Sequence, residues 1–360
     1  MRKMTYTTIN KPKFAIFSDL HLGVHSNSTE WHKNALEWAA WFRDECKKKN
    51  IKDLIFCGDW HHNRSEISVN TLQVSADILD ILSDFNIIAI TGNHDIYYTN
   101  TNEVNSMNLL LQDYKHFNLY EDKAEHLTLG STTFLMLPWI NKQNAEYNYK
   151  MLAESKADVV MGHLEVKGFE MMKGILCTHG TEMEVFKNFL DVYSGHFHHP
   201  SRYGNVEYLG APYEMMWGDY GGSRGFHIFD TEDRSMTKIE NPNRVFYKID
   251  YDDSDWTVDD VANFDVDQYK DTFVKVVVKN RTNAYLYDLF MSRMSDCGAV
   301  DVKAIDDNLN LEHAGVDEIL DETKDTGEIL HQYIDSIETN VDKARIKQVI
   351  DDLYHEALSL

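Results

Sequence analysis

The chain has 360 residues, 43% hydrophobic and 12% aromatic, which is enough for one large core and a smaller second one and argues against long disorder. Its formal charge of −24 weighs against a uniformly basic nucleic-acid-binding surface, and no apolar run approaches the roughly 18 residues that suggest a membrane span. Cys46, Cys57, Cys177 and Cys297 are scattered without a C-x-x-C, as expected of a reduced, cytoplasmic protein. Met1-Arg2-Lys3-Met4 is basic, but no apolar stretch follows it, so a secretory signal is not expected. The charge is uneven: residues 231–360 carry 14 Lys and Arg against 30 Asp and Glu, which places −16 of the total there.

In chain order, Lys13-Phe14-Ala15-Ile16-Phe17 reads as a short buried strand that ends in Ser18-Asp19. Residues 30–49 carry Trp31, Ala35, Trp38 and Phe42 at three- and four-residue steps and end in three lysines, the pattern of an amphipathic helix with cations at its negative end. Asp53–Cys57 is a second strand, residues 67–84 a second helix, and Ile87–Ile90 a third strand before Gly92. Phe134–Trp139 reads as a strand halted by Pro138. Asp158–Met161 and Val192–Ser194 read as strands preceding His163 and His196. Strand, ligand-bearing loop and helix in repetition predict a βαβ sheet, in which ligands gather at the carboxyl ends of strands. From about residue 240 the texture changes. An acid-rich stretch over 250–260 suggests a boundary near Asp252-Asp253-Ser254-Asp255, followed by a strand over 272–278, a helix over 283–295 and a strand over 298–304. Residues 313–358 read as polar and helical, with one apolar stripe of Ile346, Val349, Ile350, Leu353 and Ala357.

Five short motifs hang off these apolar runs: Ser18-Asp19-Leu20-His21, Gly58-Asp59-Trp60-His61-His62, Gly92-Asn93-His94-Asp95, Met161-Gly162-His163 and Gly195-His196-Phe197-His198. Asp, Asn and His are oxygen and nitrogen donors for hard-to-borderline divalent cations, and a set this long can hold two ions. Two adjacent ions are the usual machinery for in-line displacement at phosphorus. In Asp19-x-His21, alternate residues at a strand end point the same way and can meet one ion. A glycine precedes the ligand in four of the motifs, letting the backbone turn sharply and approach closely.

The ordered set D-x-H, G-D-x-x-H, G-N-H-D, G-H and G-H-x-H resembles the calcineurin-like metallophosphoesterases. Within them it resembles the SbcD-type nuclease subunits of double-strand-break repair, bacteriophage recombination endonucleases in particular. The resemblance covers roughly residues 13–230 and, more loosely, the remainder. It implies an α/β fold: a four-layer αββα sandwich with a small α+β capping domain and a C-terminal helical tail. The domains would be 1–240 for the nuclease, 241–310 for a DNA-contacting cap and 311–360 for a tail that binds an ATPase partner.

The resemblance also implies roles. Asp59 would bridge two divalent ions, with Mn²⁺ expected and Mg²⁺ accommodated by the same donors. Asp19, His21 and His198 would complete the first ion, and Asn93, His163 and His196 the second. His94 would protonate the leaving oxygen or orient the scissile phosphate, Asp95 would orient the His94 imidazole, and His62 would touch phosphate or support His94. His62 is favoured over its neighbour His61 on motif register, and His179 and His199 are expected not to bind metal.

G-D-x-x-H in place of G-D-x-x-Y disfavours purple acid phosphatases, and the G-D-x-x-D-R-G pattern of protein phosphatases is lacking. Cyclic-nucleotide phosphodiesterases share the metal motifs but have no use for so long a C-terminal extension. The expected activity is therefore a metal-dependent DNA nuclease in recombination and double-strand-break repair, a 3′–5′ double-strand exonuclease and single-strand endonuclease. It would act in the cytoplasm, the host's if the chain is phage-encoded, with an SbcC-like coiled-coil ATPase. A homodimer is expected through helices near the second and third motifs, where Leu72, Val74, Ala76, Ile78, Leu79, Leu109, Leu110 and Leu111 lie. The C-terminal apolar stripe is the expected docking face for the ATPase.

Overall fold

The computed structural model describes residues 12–172, 175–306, 331, 334–335, 342–347 and 349–350. The first sheet contains β1 (Lys13–Phe17), β2 (Asp53–Phe56), β3 (Asn86–Ile90) and β4 (Phe117–Tyr120), all parallel. The second contains β5 (Glu125–Leu129), β6 (Thr132–Leu137) and β7 (Val159–His163), joined after the small hairpin β8 (Glu170–Met172) and β9 (Ile175–Leu176) by β10 (Asp191–Gly195), β11 (Ser201–Tyr203) and β12 (Val206–Tyr208). The chain then returns to the first sheet as β13 (Gly225–Asp230) and β14 (Met236–Glu240), giving the orders β14-β13-β1-β2-β3-β4 and β11-β12-β10-β7-β6-β5.

The strands read as unbroken apolar runs because both faces of each sheet are covered. Phe14, Ile16, Ile55, Ile88 and Ile90 point to the layer between the sheets, where they meet Phe134, Met136, Val159 and Met161. Their neighbours Ala15, Phe17, Leu54, Phe56, Ile87 and Ala89 point the other way, onto helices. There they meet Trp38, Ala39 and Phe42 of helix Thr29–Lys48, and Val74, Ile78 and Leu79 of helix Val69–Ile81. On the far side of the second sheet, Leu135, Leu137, Val160 and Val192 pack against Leu152 of helix Ala145–Glu154 and Phe186. This is the four-layer αββα sandwich, and its two inner sheets leave a shared edge of loops at their carboxyl ends.

Three parallel strands, β15 (Phe246–Asp252), β16 (Phe273–Asn280) and β17 (Asp301–Asp306), form a separate small sheet. Helices Val258–Asn263 and Ala284–Asp296 help enclose its own core of Tyr251, Val261, Val276, Phe290 and Met294. The acidic stretch at Asp252–Asp255 is therefore no boundary. It is the end of β15, and the Asp253 carboxylate, 2% exposed, accepts from Thr282 N, Asn283 N and the Tyr251 hydroxyl. The passage between the units falls earlier, where buried Glu214 accepts from Val245 N (2.8 Å) and Phe246 N (3.0 Å) and pairs with Arg244 at 3.3 Å.

Of the C-terminal stripe, Ile346, Val349 and Ile350 lie on helical residues, with Val349 51% exposed, while Leu353 and Ala357 lie outside the described residues. In helix Val69–Ile81 the residues Val74, Ile78 and Leu79 are spent on the core, so the apolar surface left near the motifs comes from Val69, Tyr97, Tyr98, Leu109 and Leu110. No helix among the described residues is long and apolar enough to cross a membrane.

Candidate two-metal centre

All five motifs sit at the carboxyl ends of β1, β2, β3, β7 and β10. The loops after β1 and β2 are zipped together by Asp19 N to Gly58 O (3.0 Å), His21 N to Asp59 O (3.1 Å) and Leu22 N to Trp60 O (3.0 Å). Asp19, His21, Asp59 and His196 all adopt positive φ, at 58°, 45°, 64° and 91°. Non-glycine residues rarely hold such angles, and four together at one place mark a backbone bent for its side chains. Gly58 is required here: at φ +91°, a Cβ would lie 2.5 Å from His163 Nδ1 and 2.8 Å from Gly92 Cα.

Three groups of donor atoms result, and in each the ligand atoms lie within 4.8 Å of one another: Asp19, His21 and His198 in the first, Asp59, His163 and His196 in the second, and His21, His62 and His94 in one that shares His21 with the first. Asn93 joins the second, its Oδ1 lying 2.9 Å from both His163 Nε2 and His196 Nδ1. In the first, His198 Nε2 faces His21 Nε2 at 3.0 Å. Asp59 stands between the groups. Its Oδ1 accepts the His94 N–H at 2.8 Å, while Oδ2 lies 3.5 Å from His21 Nε2 and 3.2 Å from His163 Nε2, without hydrogen-bond geometry to either. Asp59 Oδ2 thus faces a nitrogen of each of the first two groups, and Asp59 is the residue that would be shared between them if both held ions.

Residues 12–200 match the family described as calcineurin-like phosphoesterase. The chain is 32% identical over 259 residues to exonuclease subunit 1 of Enterobacteria phage T4, spanning 67% of this chain and 74% of that one. It is 22% identical over 258 residues to the SbcD component of the SbcCD nuclease of Staphylococcus saprophyticus, spanning 61% and 66%. Among solved structures, an archaeal phosphodiesterase is similar at 18% identity and a TM-score of 0.33, covering 64% of this chain and 99% of that one. The chain belongs to the calcineurin-like phosphoesterase family.

The phosphoesterases of this family use divalent metal ions, and the donor set fits them. Buried Asp59 Oδ2 is a carboxylate oxygen left without a hydrogen-bond partner, an arrangement that is costly unless a cation completes it. Tautomers agree. The Cys57 carbonyl lies 2.7 Å from His163 Nδ1 and accepts its proton, which turns Nε2 toward Asp59 and Asn93. Without metal, burial would lower the His163 pKa, but the Asp59 charge outweighs it and lifts it to about 9. Burial also raises Asp59, yet the His163 charge, the largest opposing influence, brings it well below the ordinary carboxylate range. Burial dominates elsewhere: it raises Asp19 to about 7 and lowers His198 to about 4, His62 to about 3 and His21 well below its usual value. The first group is therefore rich in unprotonated imidazole nitrogens, the form that ligates metal.

His94 belongs to the group that shares His21 with the first, its ring 4.6 Å from that of His21 and stacked 5.3 Å from that of His62. Its Nδ1 faces the His62 carbonyl at 2.7 Å, which takes the Nδ1 proton and leaves Nε2 for other work. This corrects the part expected of Asp95. Its carboxylate accepts from the backbone N–H groups of Asp59 (2.8 Å), Trp60 (2.9 Å), His61 (3.3 Å) and Gly92 (2.9 Å), and fixes the loop that carries Asp59 instead of the His94 ring. The histidine doublet separates: His62 Nδ1 faces His21 Nδ1 at 3.2 Å, whereas buried His61 turns away onto Ser106 Oγ at 2.8 Å.

Sequence reasoning missed Arg224. Its guanidinium is 1% exposed, donates to the His198 carbonyl and pairs with Asp219 at 2.5 Å, so it holds the backbone of one candidate ligand. Trp139, whose ring lies 5.2 Å from that of His196, was missed as well. Neither sits in a motif; Trp139 follows a strand-halting proline, and no spacing signal points to Arg224.

Proposed function

We propose that this phosphoesterase is a two-metal DNA nuclease, the SbcD-type subunit of a recombination and double-strand-break repair machine. Asp59 Oδ2, poised between two groups of three or more donors, is the observation that carries the two-metal reading. The T4 exonuclease subunit and the SbcCD component carry the choice of DNA. Asp19, His21 and His198 would hold one ion, Asn93, His163 and His196 the other, with Asp59 shared. Mn²⁺ is the proposed ion, with Mg²⁺ as an alternative suited to the same oxygen and nitrogen donors. Bound there, two divalent cations supply charge to a phosphodiester and its attacking and leaving oxygens. The protein's own work is to aim the lone pairs through the Cys57 carbonyl and the Asp95 backbone contacts, and to present His94 Nε2 as proton donor to the departing 3′ oxygen, with His62 stacked behind it.

Residues 1–240 would form the nuclease domain, 241–310 a cap that contacts DNA and 311–360 a tail that docks on an SbcC-like coiled-coil ATPase in the cytoplasm. Two copies would pair through the exposed Leu109, Leu110 and Val69 region. Incubation with Mn²⁺ should release nucleotides from the 3′ ends of linear duplex and cut single-stranded circles, without turnover of cyclic nucleotides. Hydrolysis of cyclic nucleotides with DNA left intact would replace this reading by a small-molecule phosphodiesterase. Light scattering should show a dimer at micromolar concentration; a monomer removes the pairing proposal alone.

A further inference from the structure

A further cluster of donor atoms lies beside the second ligand group, carried by Glu165, Cys177 and His179, with all three ligand atoms within 4.8 Å of one another. The segment that follows β7 folds back on itself to bring them together. Thr181 N donates to Glu165 O (2.8 Å), Lys167 N to Thr181 O (3.1 Å), Gly168 N to Cys177 O (2.8 Å) and Cys177 N to Phe169 O (2.7 Å). Gly180 has φ +88°, and a Cβ there would lie 2.4 Å from the Glu165 carbonyl oxygen, so the two arms approach this closely only with glycine. Glu165 Oε1 is 3.1 Å from His179 Nε2. Cys177 is 1% exposed, and its thiol donates to the His179 carbonyl at 3.2 Å. His179, at 49% side-chain exposure, leaves the cluster open to solvent on one side.

We infer that Glu165, Cys177 and His179 form a third metal site, separate from the two groups around Asp59 and selective for a borderline divalent cation of the Zn²⁺ class. One thiolate, one imidazole and one carboxylate from the protein, with a fourth position facing water, match tetrahedral zinc and not the all-oxygen or oxygen–nitrogen shells that suit Mg²⁺ and Mn²⁺. Binding replaces the Cys177 thiol proton, which passes to solvent. The site also bears on its neighbour. Glu165 Oε1 lies 3.9 Å from His196 Nε2, on the opposite side of the ring from Nδ1, which faces Asn93. An ion here would fix the position of that carboxylate, whose charge lies beside the His196 ring.

The test uses the full chain, freed of metal and titrated with Co²⁺ while its absorption is recorded. The expected result is a near-ultraviolet thiolate-to-cobalt charge-transfer band that is absent in Cys177→Ser and lost or strongly weakened in His179→Ala. Zn²⁺ bound per folded chain, measured after gel filtration, should be one ion lower in either variant than in the parent. His179 is solvent-exposed, so His179→Ala keeps the test valid if Cys177→Ser fails to fold. No thiolate band in the parent chain, a band that survives Cys177→Ser, or equal zinc content in parent and His179→Ala would each overturn the site.

Discussion

Two buried carboxylates, Asp59 in the sandwich and Asp253 in the small C-terminal unit, occupy comparable places near the carboxyl ends of parallel strands, at 1% and 2% exposure. Their surroundings differ. Asp253 accepts from two backbone N–H groups, the Thr282 hydroxyl and the Tyr251 hydroxyl, and both its oxygens are satisfied. Asp59 has one oxygen satisfied by His94 N and the other facing two imidazoles with no hydrogen bond. Burial alone does not separate a structural carboxylate from a ligand; the unsatisfied oxygen does. The neighbouring Asp252 completes the contrast, since it is exposed and bonded to Ser254 and Asn280. Parallel strand ends become a site only where two sheets converge and their loops exclude water from donors aimed at one another.

The most severe test of this contrast is Asp59→Asn. A neutral amide cannot balance two dications, so at least one ion and nearly all hydrolysis should be lost, as read by metal content and phosphodiester cleavage on the same sample. Full occupancy with normal cleavage would remove Asp59 from its bridging place. Next in size, His94→Gln should slow turnover by about 10²–10⁴, the range for a lost general acid. Metal content and DNA binding should stay at parental levels, because all seven candidate ligands remain; loss of metal would show that His94 is itself a ligand.

On the other side of the comparison, Asp253→Ala should cost about 1–3 kcal/mol of stability, the range for buried donors left unpaired. Chemical denaturation measures it, and metal content should not change. A fall in metal content would mean that the two carboxylates are not separable in the way the hydrogen bonds indicate.

The smallest effects are in pH, and their signs are opposite. N–H and O–H donors outweigh burial and hold Asp253 below its usual value, so its contribution is present above the ordinary aspartate range and disappears as pH falls. His163 is raised to about 9, so its contribution is complete below the ordinary histidine value near 6.5 and is lost as pH rises through about 9. Asp19, raised to about 7, has finished titrating before most of that window. The metal-free protein should therefore lose stability between about pH 7 and 9, and the loss should vanish once Mn²⁺ is bound. Melting curves with and without Mn²⁺ across that interval check it; parallel curves would contradict the proton at His163.

Sequence alone determined the sandwich strands and the order of ligand-bearing loops, because both are local: apolar runs mark strands buried on two faces, and Gly-Asp, Gly-Asn-His-Asp and Gly-His mark sharp exits from them. The helix over 283–295 and the strand over 272–278 were legible for the same reason, appearing as Ala284–Asp296 and Phe273–Asn280. What only the tertiary structure decided depends on contacts between residues far apart in the chain. Asp95 meets the backbone of residues 34 to 36 positions earlier, so its motif neighbour His94 suggested the wrong partner. Arg224 reaches the His198 carbonyl 26 residues away, and His163 finds its tautomer from a carbonyl 106 residues distant. The acid-rich turn after β15 reads as a boundary because charge composition cannot register that Asp253 is buried and hydrogen-bonded across 29 and 30 residues. Residue type and spacing specify which atoms can bind a cation. Which of them are left unsatisfied, and therefore need one, is settled by packing.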